Sequence, residues 1–212
     1  ALYSKCLFNT GVLYLTVGDY NKSINYFLNC VEIDKSLFGE NSSKLVDGYS
    51  GIAVNYIIMR DYERAIDFIN QALRIAQIYP DSTSVNTLSY LYATRGVAYS
   101  SLANYEQARN NLEKAESYYV NQNNKDRNYV NLLDNLGTTY HFLGLSEKSY
   151  FYYEKALEFV SDEISAITIN LVYNYAVILG NDHLEKKGEL LLSDLLRKVG
   201  RAQNYNSRNY YF

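Results

Sequence analysis

Residues equipped for chemistry are few in this chain, and they do not gather. Histidine occurs only as His141 and His183 and cysteine only as Cys6 and Cys30. Neither histidine neighbours a cysteine in sequence, so no zinc-site spacing exists. No phosphate-cradling glycine loop, nucleophile elbow or paired-histidine motif is found. The acidic pair Asp162 and Glu163 suits a helix start, where carboxylates meet the positive end of the backbone dipole. The expectation is a protein that is not an enzyme, with no cofactor and no metal. Side chains that bind without reacting are better represented. Asn9, Asn135 and Asn174 each carry an amide that can donate to and accept from an extended peptide backbone, although asparagine at such positions also serves ordinary packing. Tyrosine, at 24 of 212 residues, is read mainly as core, leaving exposed members such as Tyr90 for contact.

These residues must be positioned by something, and the chain supplies it as a repeat. Gly96, Tyr99, Tyr105, Ala108, Leu112 and Ala115 place small, aromatic, aromatic, small, bulky and small side chains at fixed steps. The same steps return, without gaps, at Gly11, Tyr14, Tyr20, Ser23, Phe27, Cys30; at Ala53, Tyr56, Tyr62, Ala65, Ile69, Ala72; and at Gly137, Tyr140, Ser146, Ser149, Tyr153, Ala156. Each copy reads as two helices meeting at a tight turn near Gly18, Asp61, Asn104 or Gly144, with Asp19, Asp61 and Asn104 placed to cap the second helix. Ser42 or Ser43, and then Asp81 or Ser82, are expected to cap the following first helices. Pro80 is expected to end a helix at or before Tyr79, and Asn121 to Asp126 to form a loop. A lone helical pair cannot bury its apolar face, so the units must stack.

This series resembles the tetratricopeptide repeat family, with four units matching its pattern over almost the whole chain. The resemblance implies an all-α fold, a right-handed α-solenoid of antiparallel helix pairs. The expected units are 4–38, 45–80, 85–120, 129–160 and 168–200, in a single solenoid spanning 1–212. In the fifth, Val172, Tyr175, Ala176 and Leu179 suit a first helix and Gly188, Leu192 and Leu195 a second, with Gly180 to His183 expected to lengthen the turn between them. Residues 201–212 are expected to open a further first helix. The tyrosines at 14, 56, 99 and 140 are spaced by about 42 residues against a usual repeat of roughly 34, a long period similar to kinesin light chains, peptide-pheromone receptors and other bacterial arrays.

The resemblance also implies where binding occurs. First helices line the concave side, and the family's groove positions fall on Lys5, Phe8, Asn9, Val12 and Leu15; on Asp47, Ser50, Val54 and Ile57; on Tyr90, Thr94, Val97 and Ser100; and on Asn131, Asp134, Asn135, Thr138 and His141. Chaperone-docking members grip a terminal carboxylate with Lys, Arg and Asn on this face. Here Lys5 is the single expected cation, against Asp47 and Asp134, so that clamp is not expected. An apolar trough bearing amides remains, suited to a protein or an extended peptide, with self-association open. A ligand- or peptide-sensing segment of a regulatory protein is the second expectation.

Composition limits the remaining classes. The formal charge is −3 and no run of Lys or Arg stands out, so the electrostatic footprint of a nucleic-acid binder is missing. No segment approaches the roughly 20 unbroken apolar residues of a membrane helix. Cys30 takes a slot where other units carry alanine, which points to a buried thiol used as a small apolar side chain. The compartment stays open, and the sequons at Asn21 and Asn41 would matter only in a glycosylating host. With a helical pattern running from Leu2 and no initiator methionine, the chain is expected to be part of a longer, bacterial protein.

Overall fold

The computed structural model describes residues 2–78, 84–119, 126–160 and 165–208, with side chains as far as Val199. The expectations placed on Tyr79 to Ser82, Asn121 to Lys125, Asp162, Glu163 and residues 209–212 lie outside the described residues. Among the described residues ten helices make five consecutive pairs: α1 Leu2–Thr16 with α2 Tyr20–Phe38, α3 Leu45–Ile58 with α4 Tyr62–Ile78, α5 Val85–Ser101 with α6 Tyr105–Ser117, α7 Arg127–Phe142 with α8 Ser146–Val160, and α9 Ala166–Asn181 with α10 Glu185–Arg208. No strand occurs among the described residues. Nor is any helix there long and apolar enough to cross a membrane.

Every pair closes through a three-residue turn built the same way. The middle residue takes a left-handed backbone: Gly18, Arg60, Ala103, Gly144 and His183, at φ 83°, 62°, 57°, 74° and 62°. The residue after it returns its N–H to a carbonyl five residues back. Asp19, Asp61, Asn104, Leu145 and Leu184 donate to Tyr14, Tyr56, Tyr99, Tyr140 and Leu179 at 2.8–3.0 Å. This satisfies first-helix carbonyls that would otherwise have no partner. Asp19, Asp61 and Asn104 also accept from the backbone N–H three residues on, at 3.2, 3.2 and 3.4 Å, capping the second helix as expected. The four tyrosines are therefore equivalent, and Leu179 is their fifth counterpart. The expected lengthening at Gly180 to His183 does not occur, because Gly180 and Asn181 belong to α9 and the turn is 182–184. Counting from Leu179, the small, bulky and last slots fall on Gly188, Leu192 and Leu195.

Two further corrections concern helix ends. Neither Ser42 nor Ser43 caps α3; Lys44 precedes it in a helical conformation with no side-chain cap, and Ser42 Oγ only accepts from Lys44 N at 3.4 Å. Residues 201–208, expected to open a new first helix, continue α10. Elsewhere side-chain caps are plain: Ser84 for α5, Asp126 for α7 and Ser165 for α9.

The chain divides into two compact units, residues 1–122 and 123–212. In the first, α2 packs between α1 and α3, and α4 between α3 and α5. Leu45, Ile52, Ala53, Ile69, Ala72, Ile75 and Leu91 are fully buried there. A buried polar chain ties three helices: Asn55 Nδ2 donates to Ser23 Oγ at 3.0 Å, and Ser23 Oγ donates to the Gly11 carbonyl at 2.8 Å. In the second unit α8 packs on α7 and α9, and Tyr140, Tyr153 and Tyr175 are buried. Of the tyrosines at the repeat slots, Tyr140 and Tyr153 are buried, while Tyr14, Tyr20, Tyr56, Tyr62, Tyr99 and Tyr105 are half-buried. Among the described residues of each unit, successive first helices touch each other while successive second helices do not, so the first helices make the closely drawn side.

Cations brace this packing where the slots allow. Tyr14 stacks on Tyr26, Tyr56 on Phe68 and Tyr140 on Tyr152, with ring centroids 5.3, 5.7 and 5.4 Å apart. Lys22, Arg64 and Lys148 lie 5.2, 4.6 and 5.0 Å from the centroids of those same three tyrosines, an attraction to the ring face. The third pair carries Gln107 and Asn111 at the corresponding positions. There Arg95 bridges instead, donating to Asn111 at 2.7 Å and Asn70 at 2.8 Å.

Candidate functional site

Among the described residues, a pocket in each unit takes in first-helix side chains at the same register. Counting back thirteen residues from the left-handed turn residue gives Lys5, Asp47, Tyr90, Asn131 and Asn170. Lys5 and Asp47 flank the pocket of the first unit; Asn131 and Asn170 flank that of the second. The register follows from the helix: residues three or four apart share a face, so Lys5 with Phe8 and Asn9, and Asn131 with Asp134, project together.

The first pocket holds about 680 Å³ between α1, the end of α2 and the start of α3. Lys5, Phe8, Asn9 and Asp47, all expected from the sequence, line it with Cys30, Asp34, Phe38 and Lys44, which were not. Lys44, one residue ahead of α3 and outside the first-helix slots, adds a second cation to the lining. Asp34 is only 6% exposed, and the Cys30 thiol donates weakly to it at 3.8 Å. Cys30 is buried beside Ser4 Oγ at 3.3 Å. Burial pushes its thiol pKa up, away from the thiolate that makes cysteine reactive. Burial also raises the Asp47 carboxyl although the residue itself is exposed; nearby Lys44 opposes the shift.

The second pocket holds about 320 Å³ between α7 and α9, lined by Val130, Asn131, Asp134, Ile167, Asn170, Leu171 and Asn174. Asn174 donates its amide to both Asp134 oxygens, at 3.3 and 3.1 Å. Burial raises the Asp134 carboxyl, against the lowering bonds from Asn174 and Tyr153. Asn135 lies off the pocket, its amide bonded within α7 to the Asn131 carbonyl at 2.8 Å. Thr138 Oγ1 is 2.7 Å from the Tyr153 hydroxyl. His141 lies 3.8 Å from Asp182 at the far end of α7. Val54, Ile57, Thr94 and Val97 are half-buried, while Val12 and Tyr90 are exposed. The Thr94 hydroxyl is bonded within its helix to the Tyr90 carbonyl. Among the described residues no group of His, Cys, Asp and Glu is placed to hold a metal ion.

Helix pairs stacked through a constant turn, with first helices drawn together on a pocketed side, define an α-solenoid scaffold of the helical-repeat class. The sequence profile described as tetratricopeptide repeat matches residues 3–78, and a second of the same description matches 89–122 and 130–159. The chain belongs to the tetratricopeptide repeat family. It is 26% identical over 112 residues to tetratricopeptide repeat protein 23 of Bos taurus, covering 49% of this chain and 25% of that protein, so it spans about a quarter of that relative's length. Among solved structures it is similar to the nearly identical repeats of a Podospora anserina putative kinesin light chain, with TM-score 0.78, 11% identity and 94% and 96% of the two chains covered. It is also similar to a Rap protein complexed with competence and sporulation factor, with TM-score 0.67, 18% identity and coverage of 98% and 61%. At such identities these likenesses concern the fold.

Proposed function

We propose that this chain is a non-catalytic binding module, a segment of a larger bacterial protein, that takes a protein or an extended peptide along its first-helix side. The observation that carries the reading is the recurrence of a pocket at one register in both units, lined by side chains that bond but do not react. A peptide lying along successive first helices meets equivalent positions in each pair, as a linear ligand requires. Family membership supports the scaffold role. The second reading is a ligand- or peptide-sensing segment whose effector lies outside this chain; likeness to a Rap protein with a bound factor favours it.

The test is a titration of a partner recovered with this chain, at two salt concentrations, with hydrogen-exchange footprinting. Protection should fall on α1, α3, α5, α7 and α9. Binding should depend weakly on salt, because screening acts mainly on exposed charges. Asn9→Ala, on the wall of the first pocket, should lower affinity by about 0.5–1.5 kcal/mol as one neutral hydrogen bond to the ligand is lost. Protection confined to α2, α4, α6 and α8 would refute the groove.

A further inference from the structure

We propose that the pocket between α7 and α9 is a subsite for a cationic side chain, Arg or Lys, of the peptide; this rests on the groove reading above. Its chemistry is that of an acceptor cup. Asp134 supplies a carboxylate, and Asn131, Asn170 and Asn174 supply amide oxygens. Asn174 already directs its N–H donors at both Asp134 oxygens, which leaves its carbonyl oxygen as the atom to offer a ligand. Val130 and Ile167 give the apolar wall along which the methylene stem of a long cationic side chain can lie.

The cup lacks a counter-charge. No Lys, Arg or His lines it, and among the described residues none pairs with Asp134. A carboxylate withdrawn from water without a cation is costly, and the neutral bonds from Asn174 and Tyr153 relieve only part of that cost. A guanidinium brings five N–H donors and an ammonium three, so either supplies the missing charge and meets several acceptors at once. A carboxylate or phosphate would be repelled, and a neutral amide would bring donors without charge. The pocket of the first unit makes the contrast. Phe8 stands there in the register of Asp134, and two lysines, Lys5 and Lys44, line that pocket together with Asp34 and Asp47. The preference for a cation therefore belongs to the second pocket.

The experiment uses the whole chain and two probes of the same shape, the methylamides of N-acetyl-arginine and N-acetyl-citrulline, followed by NMR of asparagine side-chain amides. The arginine probe should shift the amides of Asn131, Asn170 and Asn174 saturably, binding on the order of 10-fold more tightly than citrulline, as a charge-assisted bond replaces a neutral one. Asp134→Asn, which keeps the shape, should bring the two probes to equal affinity. Equal binding of both probes to the parent chain, shifts elsewhere, or no shift at all would overturn the subsite. An extended peptide that protects the first helices while the parent chain shows no arginine preference would leave the groove standing and remove this proposal alone.

Discussion

Adding one methyl group at Gly137 tests the register of the fourth pair more sharply than any deletion. A Cβ at Gly137 would lie 2.6 Å from Tyr153 Cε2 and 2.7 Å from Cδ2. The ring has nowhere to retreat: Tyr153 is fully buried, stacked on Tyr175 at 4.9 Å, and held by Thr138 at 2.7 Å. Alanine for glycine inside a helix gains about 1 kcal/mol from propensity. Overpacking a filled core costs about 1–3 kcal/mol. The clash should win, so Gly137→Ala is expected to destabilise by up to roughly 2 kcal/mol. Gly180, in the last turn of α9, has nothing within 4 Å of its would-be Cβ. There Gly180→Ala should keep the propensity term alone and stabilise by up to about 1 kcal/mol. Urea unfolding followed by far-ultraviolet circular dichroism reads both. Midpoints moving the same way, or a Gly137→Ala midpoint equal to the parent's, would refute the close approach of α7 and α8.

Three more outcomes are expected. Ala108→Phe should overpack the crossing of α5 and α6, where Ala108 is fully buried, lowering stability by about 1–3 kcal/mol in a thermal melt. Ala103→Gly should raise the melting temperature, since alanine at φ 57° bears a left-handed penalty of about 1–2 kcal/mol that exceeds the entropy glycine adds to the unfolded chain. Tyr150 donates to Asp182 at 2.5 Å, and burial, with that carboxylate, pushes its phenol from 10.0 up to about 12. A raised phenol pKa favours the protonated form in the fold. Its stabilisation should be complete below the ordinary tyrosine range and lost as pH rises through the raised value, which Tyr150→Phe should abolish in melts taken across alkaline pH.

The spacing of small and aromatic slots made four helix pairs legible, because close helix crossing and ring packing demand those residue types wherever they occur. The fifth pair was obscured where its slots change chemistry: Leu179 replaces the tyrosine and Glu185 the next aromatic, and the left-handed turn falls on His183, whereas in the other pairs it falls on Gly18, Arg60, Ala103 and Gly144. Backbone hydrogen bonds identify what side chains disguise. The pockets were legible on their first-helix side only. Asp34 and Cys30 enter from the end of α2, and Lys44 from the connection before α3, places that a reading of first-helix slots does not reach. The caps show the same division. Asp19 follows from its place in a constant turn, whereas α3 begins without a side-chain cap because the connection ahead of it follows no shared pattern.

The turn and the connections differ in what they tolerate, and that bears on how such a gene can change. Successive left-handed turn residues are 42, 43, 41 and 39 positions apart, yet every turn has three residues. All length variation therefore falls between one left-handed residue and the next, outside the turn itself. Unequal crossing-over between the codons of two adjacent turns would delete or duplicate the equivalent of one helix pair and rejoin the reading at the same left-handed turn. The turn is a natural splice point in heredity, and the pocket between α7 and α9, built by neighbouring first helices, would change by shuffling neighbours as well as by altering its lining residues.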